Sequence, residues 1–332
     1  MISREQYLAV REGAALVDRS DRGRIRLTGK DRRDYLQGLL TNDIAALTPG
    51  TGCYTCLLTA QGRMISDMYV VETGDAVLMD LERYVTPRVV AHLDQFVFSE
   101  DVVVSDVSDS IRQLGVFGPK SADVLRELDL SSEAFDFDRL NVLDHRTSPW
   151  RNTGEVVMVV RRDDLGETGF DLWISAAQGD ALALAIVDAG ATRVESDAAE
   201  IRRVETGRPV FGKDMTEDTI PLEAGIEDRA ISRTKGCYVG QEVIIRVLDR
   251  GHGRVARRLV GLTCEGSSDV PAIGASIAAG DRVIGSVTSA VLSPSLERPI
   301  ALGYVHRDFV QPGTAVTIGA GIPAAVAALP FL

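Results

Sequence analysis

Cysteine is scarce in this sequence. Cys53, Cys56, Cys237 and Cys264 are the only four in 332 residues, too few and too dispersed for a disulfide framework. Histidine is equally sparse, and His92, His145, His252 and His306 lie far apart. No Cys/His cluster supplies a tetrahedral ligand set, so no metal site is expected. No apolar run approaches the roughly 18 residues that span a bilayer. The first residues, MISREQYLAVREGAALVD, carry charges throughout and lack the apolar centre of a secretion signal. The expected location is therefore the cytoplasm or a similarly reducing compartment. No G-x-G-x-x-G, Walker loop, G-x-S-x-G or H-E-x-x-H occurs, which removes support for nucleotide-cofactor and standard hydrolase chemistry. A formal net charge of -12 argues against an extended nucleic-acid-binding face.

What is present is an ordinary globular composition, 45% hydrophobic and 25% charged, in a chain long enough for two or three domains. Arg24–Leu27 reads as a strand, followed by a helix capped by Asp31 with Tyr35, Leu36, Leu39 and Leu40 on one face. Further β-rich runs cover Gly52–Leu58, Met64–Glu72 and Ala76–Asp80, with a helix near Pro87–Phe96 and a strand near Val102–Val104. A second mixed region offers strands at Gln113–Phe117, Val156–Arg161 and Phe170–Ile174. Its helices lie near Ser121–Leu128, Ala177–Ala189 and Asp197–Arg203. From Arg257 onwards only short strands divided by Gly and Pro remain: Leu259–Cys264, Ala275–Ala278, Val283–Val291, Ile300–Val305 and Ala315–Ile318. They predict a small barrel or sandwich, with Glu265–Val270 and Leu292–Arg298 as loops. Without strict βαβ alternation the fold class is α+β. The expected organisation is an N-terminal lobe over 1–110, a second lobe over 111–250 that interdigitates with it, and a C-terminal domain over 257–332.

The run Lys235-Gly236-Cys237-Tyr238-Val239-Gly240-Gln241-Glu242 sets a lone thiol between two glycines and beside a lysine. From Arg229 to Arg258 there are eight Lys/Arg against two acids, Glu242 and Asp249. A local excess of six positive charges on an acidic protein suggests an anion held near a polarised cysteine. The alternative is a structural thiol in a tight turn.

Other candidates are less specific. Cys53 and Cys56 form a C-x-x-C inside an apparent strand, where residues three apart face opposite sides; a structural role is expected. Asp67 interrupts an otherwise apolar strand, either as a solvent-facing residue or as an acid/base group lining a cavity. Glu205 precedes the helix stop Thr206-Gly207-Arg208-Pro209 and could accept from the paired N–H donors of a heterocycle, or lie at the surface. Arg250-Gly251-His252-Gly253-Arg254 is compatible with an RNA phosphate contact.

Six further segments stand out along the chain: Tyr35-Leu36-Gln37-Gly38-Leu39-Leu40-Thr41-Asn42-Asp43, Gly166-Glu167-Thr168-Gly169-Phe170, Glu205-Thr206-Gly207-Arg208-Pro209, Pro221-Leu222-Glu223-Ala224-Gly225, Gly285-Ser286-Val287-Thr288-Ser289 and Ile300-Ala301-Leu302-Gly303-Tyr304-Val305. Taken together and in this order, they resemble the superfamily that joins glycine-cleavage T-proteins, which are tetrahydrofolate aminomethyltransferases, with YgfZ-type folate-binding proteins. The resemblance implies three lobes around a central opening for tetrahydrofolate, with a C-terminal β-barrel. KGCYVGQE is similar to the hallmark of the YgfZ branch, whose members support iron–sulfur enzymes, and T-proteins usually lack its cysteine. By the same resemblance Glu205 would hold the pterin, and Asp67 falls where T-proteins carry a catalytic aspartate in an Asp-Asp pair. Here the pair is Ser66-Asp67, so half of it is absent.

The expectation is a tetrahydrofolate-binding, YgfZ-like protein supporting iron–sulfur cluster assembly or repair, with reduced folate and iron–sulfur client or assembly proteins as partners. Cys237 and Asp67 would carry the chemistry. Glu205, Lys235, Tyr238, Gln241, Arg246 and Arg254 would bind the folate, arginine suiting its carboxylate tail. The alternatives are a folate-dependent aminomethyltransferase and an RNA- or protein-binding adaptor without folate.

Overall fold

A computed structural model describes residues 4–130, 137–151, 153–250, 253–266 and 268–332, with only the backbone of Asp138 and Arg250. The chain forms two units. The first comprises Met1–Leu57, Ile65–Ala199 and Ala230–Val239; the second comprises Leu58–Met64, Glu200–Arg229 and Gly240–Leu332.

The first unit is built on two sheets. Its strands are β1 (Ala15–Asp18), β2 (Gly23–Thr28), β3 (Thr51–Leu58), β4 (Met64–Glu72), β5 (Val77–Leu81), β6 (Val103–Asp106), β7 (Ile111–Phe117), β8 (His145–Pro149), β9 (Val156–Arg162), β10 (Gly169–Ser175) and β11 (Thr192–Arg193). Six of them form one sheet in the order β11-β1-β7-β10-β9-β8; the other sheet runs β3-β4-β5-β2-β6. Helices α1 (Arg4–Glu12), α2 (Arg32–Gln37), α3 (Thr86–Asp94), α4 (Ser121–Glu127) and α5 (Gly179–Asp188) connect and cover them, and α6 (Ser196–Glu205) begins in this unit and continues into the second from Glu200.

Every residue of β10 except Ser175 is buried, because both faces of its sheet are covered. Phe170, Leu172 and Ile174 pack on one face with Leu125 of α4 and Leu182 and Ile186 of α5. Asp171 and Trp173 take the opposite face by the two-residue alternation of a strand. Gly115 lies directly across from Asp171. A Cβ there would come within 2.4 Å of the Phe117 ring and 3.1 Å of the Arg19 side chain, so glycine keeps open the path by which Arg19 reaches Asp171.

That face is charged, not apolar. The Arg162 guanidinium lies 3.3 Å from Asp80 of the other sheet, 3.3 Å from Asp171 and 2.6 Å from Asp164. Arg19 joins Asp164 and Asp171 at 2.8 and 3.4 Å, and Arg22 joins Asp80 and Glu82 at 2.5 and 2.6 Å. Gln113 bridges Asp171 and Arg24. Burial works to raise the Asp80 carboxyl, but Arg22 and Arg162 outweigh it and hold it down at about 2. Such a cluster is stable only while every charge keeps its partners.

In the second unit α7 (Glu227–Ala230) and α8 (Gln241–Ile245) precede six strands: β12 (Arg257–Cys264), β13 (Ser276–Ala279), β14 (Arg282–Ser293), β15 (Arg298–His306), β16 (Ala315–Ile318) and β17 (Ile322–Ala327). They close into a barrel in the order β12-β15-β14-β13-β16-β17. Its interior is filled by side chains including Leu262, Cys264, Ile277, Val287, Val305, Ile318 and Val326, as expected of a small barrel. On its outside Leu259, Ile300, Leu302 and Tyr304 pack with Val204 of α6 and with Leu329 and Phe331.

The α+β class and the C-terminal barrel agree with the sequence. Three local expectations do not. The strand pair β14–β15 runs through Leu292, Ser293 and Arg298, so the loop expected over 292–298 shortens to four residues. Helix α2 ends at Gln37, before Leu39 and Leu40. Asp31 makes no side-chain cap on it, because its carboxylate accepts from the Asp101 backbone N–H at 2.8 Å instead. Among the described residues no helix is long and apolar enough to cross a membrane.

Candidate functional site

Strand β4 is buried along its length except at Asp67 and Tyr69. These two, separated by two positions, share a strand face that stays partly open. The Tyr54 hydroxyl of β3 donates to Asp67 Oδ2 at 2.6 Å, and the Tyr54 and Tyr69 rings pack with centroids 5.0 Å apart. Tyr69 in turn donates to Asp164 at 3.1 Å, and the Arg162 guanidinium lies over its ring at 3.6 Å. Burial pushes the Asp67 carboxyl up to about 6, against the opposing effects of the Tyr54 hydrogen bond and Arg22. A carboxyl that exchanges its proton near neutrality, half-covered and fixed by a neighbour, is suited to acid/base work or to pairing with a protonated amine. Ser66 is fully buried on the opposite face, its hydroxyl donating to the Asp67 carbonyl at 2.7 Å.

The segment carrying Cys237 is strapped to the loop between α2 and β3. Lys235 Nζ donates to the carbonyls of Gln37, Leu40 and Asn42 at 2.8, 2.6 and 2.8 Å. The Val239 N–H bonds the Gly38 carbonyl, the Ser232 N–H bonds the Thr41 carbonyl, and the Thr41 hydroxyl donates to the Ala230 carbonyl. Burial pushes the Lys235 ammonium down to about 8, and its charge lies 5.2 Å from the centre of the buried Tyr238 ring. All three ammonium donors therefore have acceptors. Lys235 anchors this segment; a carboxylate ligand would have to displace those carbonyls. Cys237 itself is exposed. A Cβ at Gly236 would meet nothing within 4 Å, so packing does not require glycine there. Gly240 is required: it has φ +84, and a Cβ would come within 2.5 Å of the Thr59 carbonyl.

The basic stretch is divided between the two units. Ala230–Val239 belongs to the first unit and the chain from Gly240 to the second. Arg257 pairs with Glu223 at 3.3 Å and Arg258 with Glu227 at 2.9 Å, so two of its cations are matched by acids outside the stretch. Gln241 begins α8 and is half-buried, while Arg246 and Arg254 are exposed. Gly251 and His252 of the basic pentapeptide lie outside the described residues.

Glu205 ends α6 in the second unit and is fully buried. Arg202 donates to one carboxylate oxygen at 2.7 Å and the Ser293 hydroxyl to the other at 2.5 Å. Cys53 is half-buried in β3, where burial pushes its thiol up to about 12; Cys56 is fully buried.

These features sit in a chain whose residues 1–235 match the GCVT N-terminal domain and whose residues 257–332 match the glycine cleavage T-protein C-terminal barrel domain. The chain belongs to the aminomethyltransferase, or glycine-cleavage T-protein, superfamily. Among its relatives is an aminomethyltransferase of Streptomyces coelicolor, 32% identical over 337 residues that cover 99% of this chain and 89% of that one. The aminomethyltransferase of Thermus thermophilus is 30% identical over 329 residues, 99% of this chain and 90% of that one. The crystal structure of glycine cleavage system aminomethyltransferase T from Bartonella henselae superposes with a TM-score of 0.88 at 25% identity, covering 99% of this chain and 89% of that one. The T-protein resemblance read from the sequence is thus a family membership; these comparisons give the relatives' name as aminomethyltransferase and do not extend to a YgfZ subtype. Sequence reasoning singled out Asp67 as a candidate but not Tyr54, Tyr69 and Arg162, which the structure gathers around it. The available signal was the two-residue spacing of Asp67 and Tyr69 on one strand.

Proposed function

We propose that this protein binds a reduced folate and acts on the one-carbon unit the folate carries, with aminomethyl transfer as the reaction. The observation that carries the reading is Asp67, raised to about 6 and held by Tyr54, in a chain paired nearly end to end with proteins named aminomethyltransferase. The residues present fit such a ligand. Glu205 is a fully buried carboxylate oriented by Arg202 and Ser293, and in this reading it is the acceptor for a pterin's paired N–H donors, which would take the place of part of those contacts. Tetrahydrofolate, when bound, would supply the nitrogens that carry the one-carbon unit. Asp67 would pair with a protonated amine when ionised and return a proton when neutral. Tyr54 would fix which carboxylate oxygen faces the ligand.

Calorimetry with tetrahydrofolate tests the binding. Glu205→Gln replaces one acceptor oxygen by a donor and should weaken affinity about 10- to 100-fold, the range for losing a charged hydrogen-bond acceptor. No heat of binding in the wild type would end the folate reading. Turnover with an aminomethylated lipoyl-carrier protein tests the reaction; folate bound without turnover would exclude aminomethyl transfer.

That outcome would favour a second reading, a YgfZ-like protein supporting iron–sulfur enzymes, for which the exposed Cys237 on a strap anchored by Lys235 is the specific observation. In that case Cys237→Ser should abolish function in cells while leaving folate affinity nearly intact. Equal loss of both would make the cysteine structural.

A further inference from the structure

We propose that Tyr69 is a positioning residue that holds the Tyr54 hydroxyl on Asp67, and that the Arg162 guanidinium is the platform that fixes Tyr69. This deepens the reading of Asp67 as the proton-exchanging group and rests on it only for the task that Asp67 performs. The geometry stands without it.

The observations form a continuous path within the first unit. Arg162 is gripped by Asp80, Asp164 and Asp171, three carboxylates drawn from both sides of its guanidinium fork. Its Nε–H finds no acceptor among the described residues. The orientation of the fork is thus set by the outer nitrogens and by the ring face it covers, at 3.6 Å. Arginine is suited to this because its charge is planar and stacks on aromatic rings. Tyr69 is pinned a second time by its hydroxyl on Asp164. A ring fixed at both face and tip gives Tyr54 one surface to lie against, with centroids 5.0 Å apart. Held against that ring, Tyr54 directs its hydroxyl to Asp67 Oδ2 at 2.6 Å.

A Tyr69 that merely filled space would act on Asp67 only by shielding it from water, which raises its midpoint. A Tyr69 that positions Tyr54 changes the proton affinity of Asp67, because the Tyr54 hydrogen bond favours the ionised carboxylate. Burial is the largest influence on Asp67, and Arg22, ahead of β2, and Glu82, after β5, add charge effects. A smaller side chain at Tyr69 admits water to the face it shares with Asp67 and on that account lowers the midpoint, so a rise reports the loss of the Tyr54 hydrogen bond.

The test is a pH titration of the Asp67 carboxyl by carbon NMR in aspartate-labelled full-length protein, its signal assigned by its loss in Asp67→Asn. Tyr54→Phe should raise the midpoint by about one unit, the effect of removing one hydrogen bond to a carboxylate. Tyr69→Leu should raise it by at least half as much, and the double variant should go no higher than Tyr54→Phe alone, as coupled residues do. Tyr69→Phe keeps the ring on Arg162 and should restore most of the wild-type value. An unmoved midpoint in Tyr69→Leu, an additive rise in the double variant, or a Tyr69→Phe shift as large as that of leucine would each overturn the proposal. Should Tyr69→Leu fail to fold, Tyr69→Met fills the same space with a flexible chain and is read in the same way. No folate is present in this measurement. A parallel tetrahydrofolate titration that fails while the midpoints behave as expected counts against the folate reading alone.

Discussion

Asp67→Asn is expected to make the protein more stable at pH 8, by about 1–3 kcal/mol, while abolishing turnover. The carboxyl titrates at about 6 in the folded chain against an ordinary 3.8. Below 3.8 it is protonated whether the chain is folded or not, and it favours neither state. Between about 4 and 6 the folded state keeps a proton that the unfolded chain has released, so stability declines as the pH rises through that window. Above 6 the folded protein carries an ionised carboxylate in a half-covered site, at a cost of up to about 3 kcal/mol at 1.36 kcal/mol per pH unit. Asparagine cannot ionise, yet its carbonyl oxygen can still accept from the Tyr54 hydroxyl. The advantage of the variant should therefore be full at pH 8, about half as large at pH 5 and small at pH 4. Urea unfolding at the three pH values reads it directly. Both tryptophans, Trp150 and Trp173, lie in the first unit with Asp67, so their fluorescence follows the unit concerned. A variant less stable than wild type at pH 8, or a difference independent of pH, would remove the basis for treating Asp67 as a proton-exchanging group. A gain in stability together with a loss of chemistry is characteristic of a residue kept for function.

How much of this was legible in the sequence depends on the distance over which the information is encoded. The barrel was legible because its strands are marked locally: β12, β13, β15 and β16 start and stop at glycines, prolines and polar turns within a residue or two of the expected positions. Asp67 was legible because a carboxylate amid Met64, Ile65, Met68, Val70 and Val71 violates the pattern of its own strand. Its partners were not, since Tyr54 meets Asp67 only through the pairing of two strands and a 13-residue separation. Arg162 and Asp80 are 82 positions apart, and nothing local to either residue announces a buried charge. The partners of Lys235 were hidden for a related reason. Its acceptors are backbone carbonyls 193 to 198 positions away, and a carbonyl has no signature in a sequence. A run of like charges on paper said little about potential, because Arg257 and Arg258 already have carboxylate partners outside the run.

The same distance dependence makes Arg162 the position where a single change should cost most. Arg162→Leu is expected to destabilise the first unit by about 3–5 kcal/mol at pH 7, the range for removing one member of a buried ion cluster. Asp80 retains Arg22, and Asp164 and Asp171 retain Arg19. Each nevertheless loses a partner in a site where water cannot replace it, since the arginine and Asp80 and Asp171 are all fully buried. The deficit should shrink on acidification. In the wild type Asp80 is held at about 2, so its contribution is intact above about 3.8 and is lost only as the pH falls towards 2. Without Arg162 the Asp80 carboxylate takes up its proton at higher pH, and protonation relieves the charge that the leucine left unmatched. Wild type and variant should thus converge between pH 5 and pH 3 when unfolding is followed by tryptophan fluorescence. Arg162→Lys should recover only part of the loss. An ammonium is a point charge that can hold its place near one or two carboxylates, but it cannot reach three of them while lying flat on the Tyr69 ring. If leucine were tolerated with no loss at pH 7, the cluster would be replaceable by apolar packing, and Tyr69 would need some other support for its place beside Tyr54.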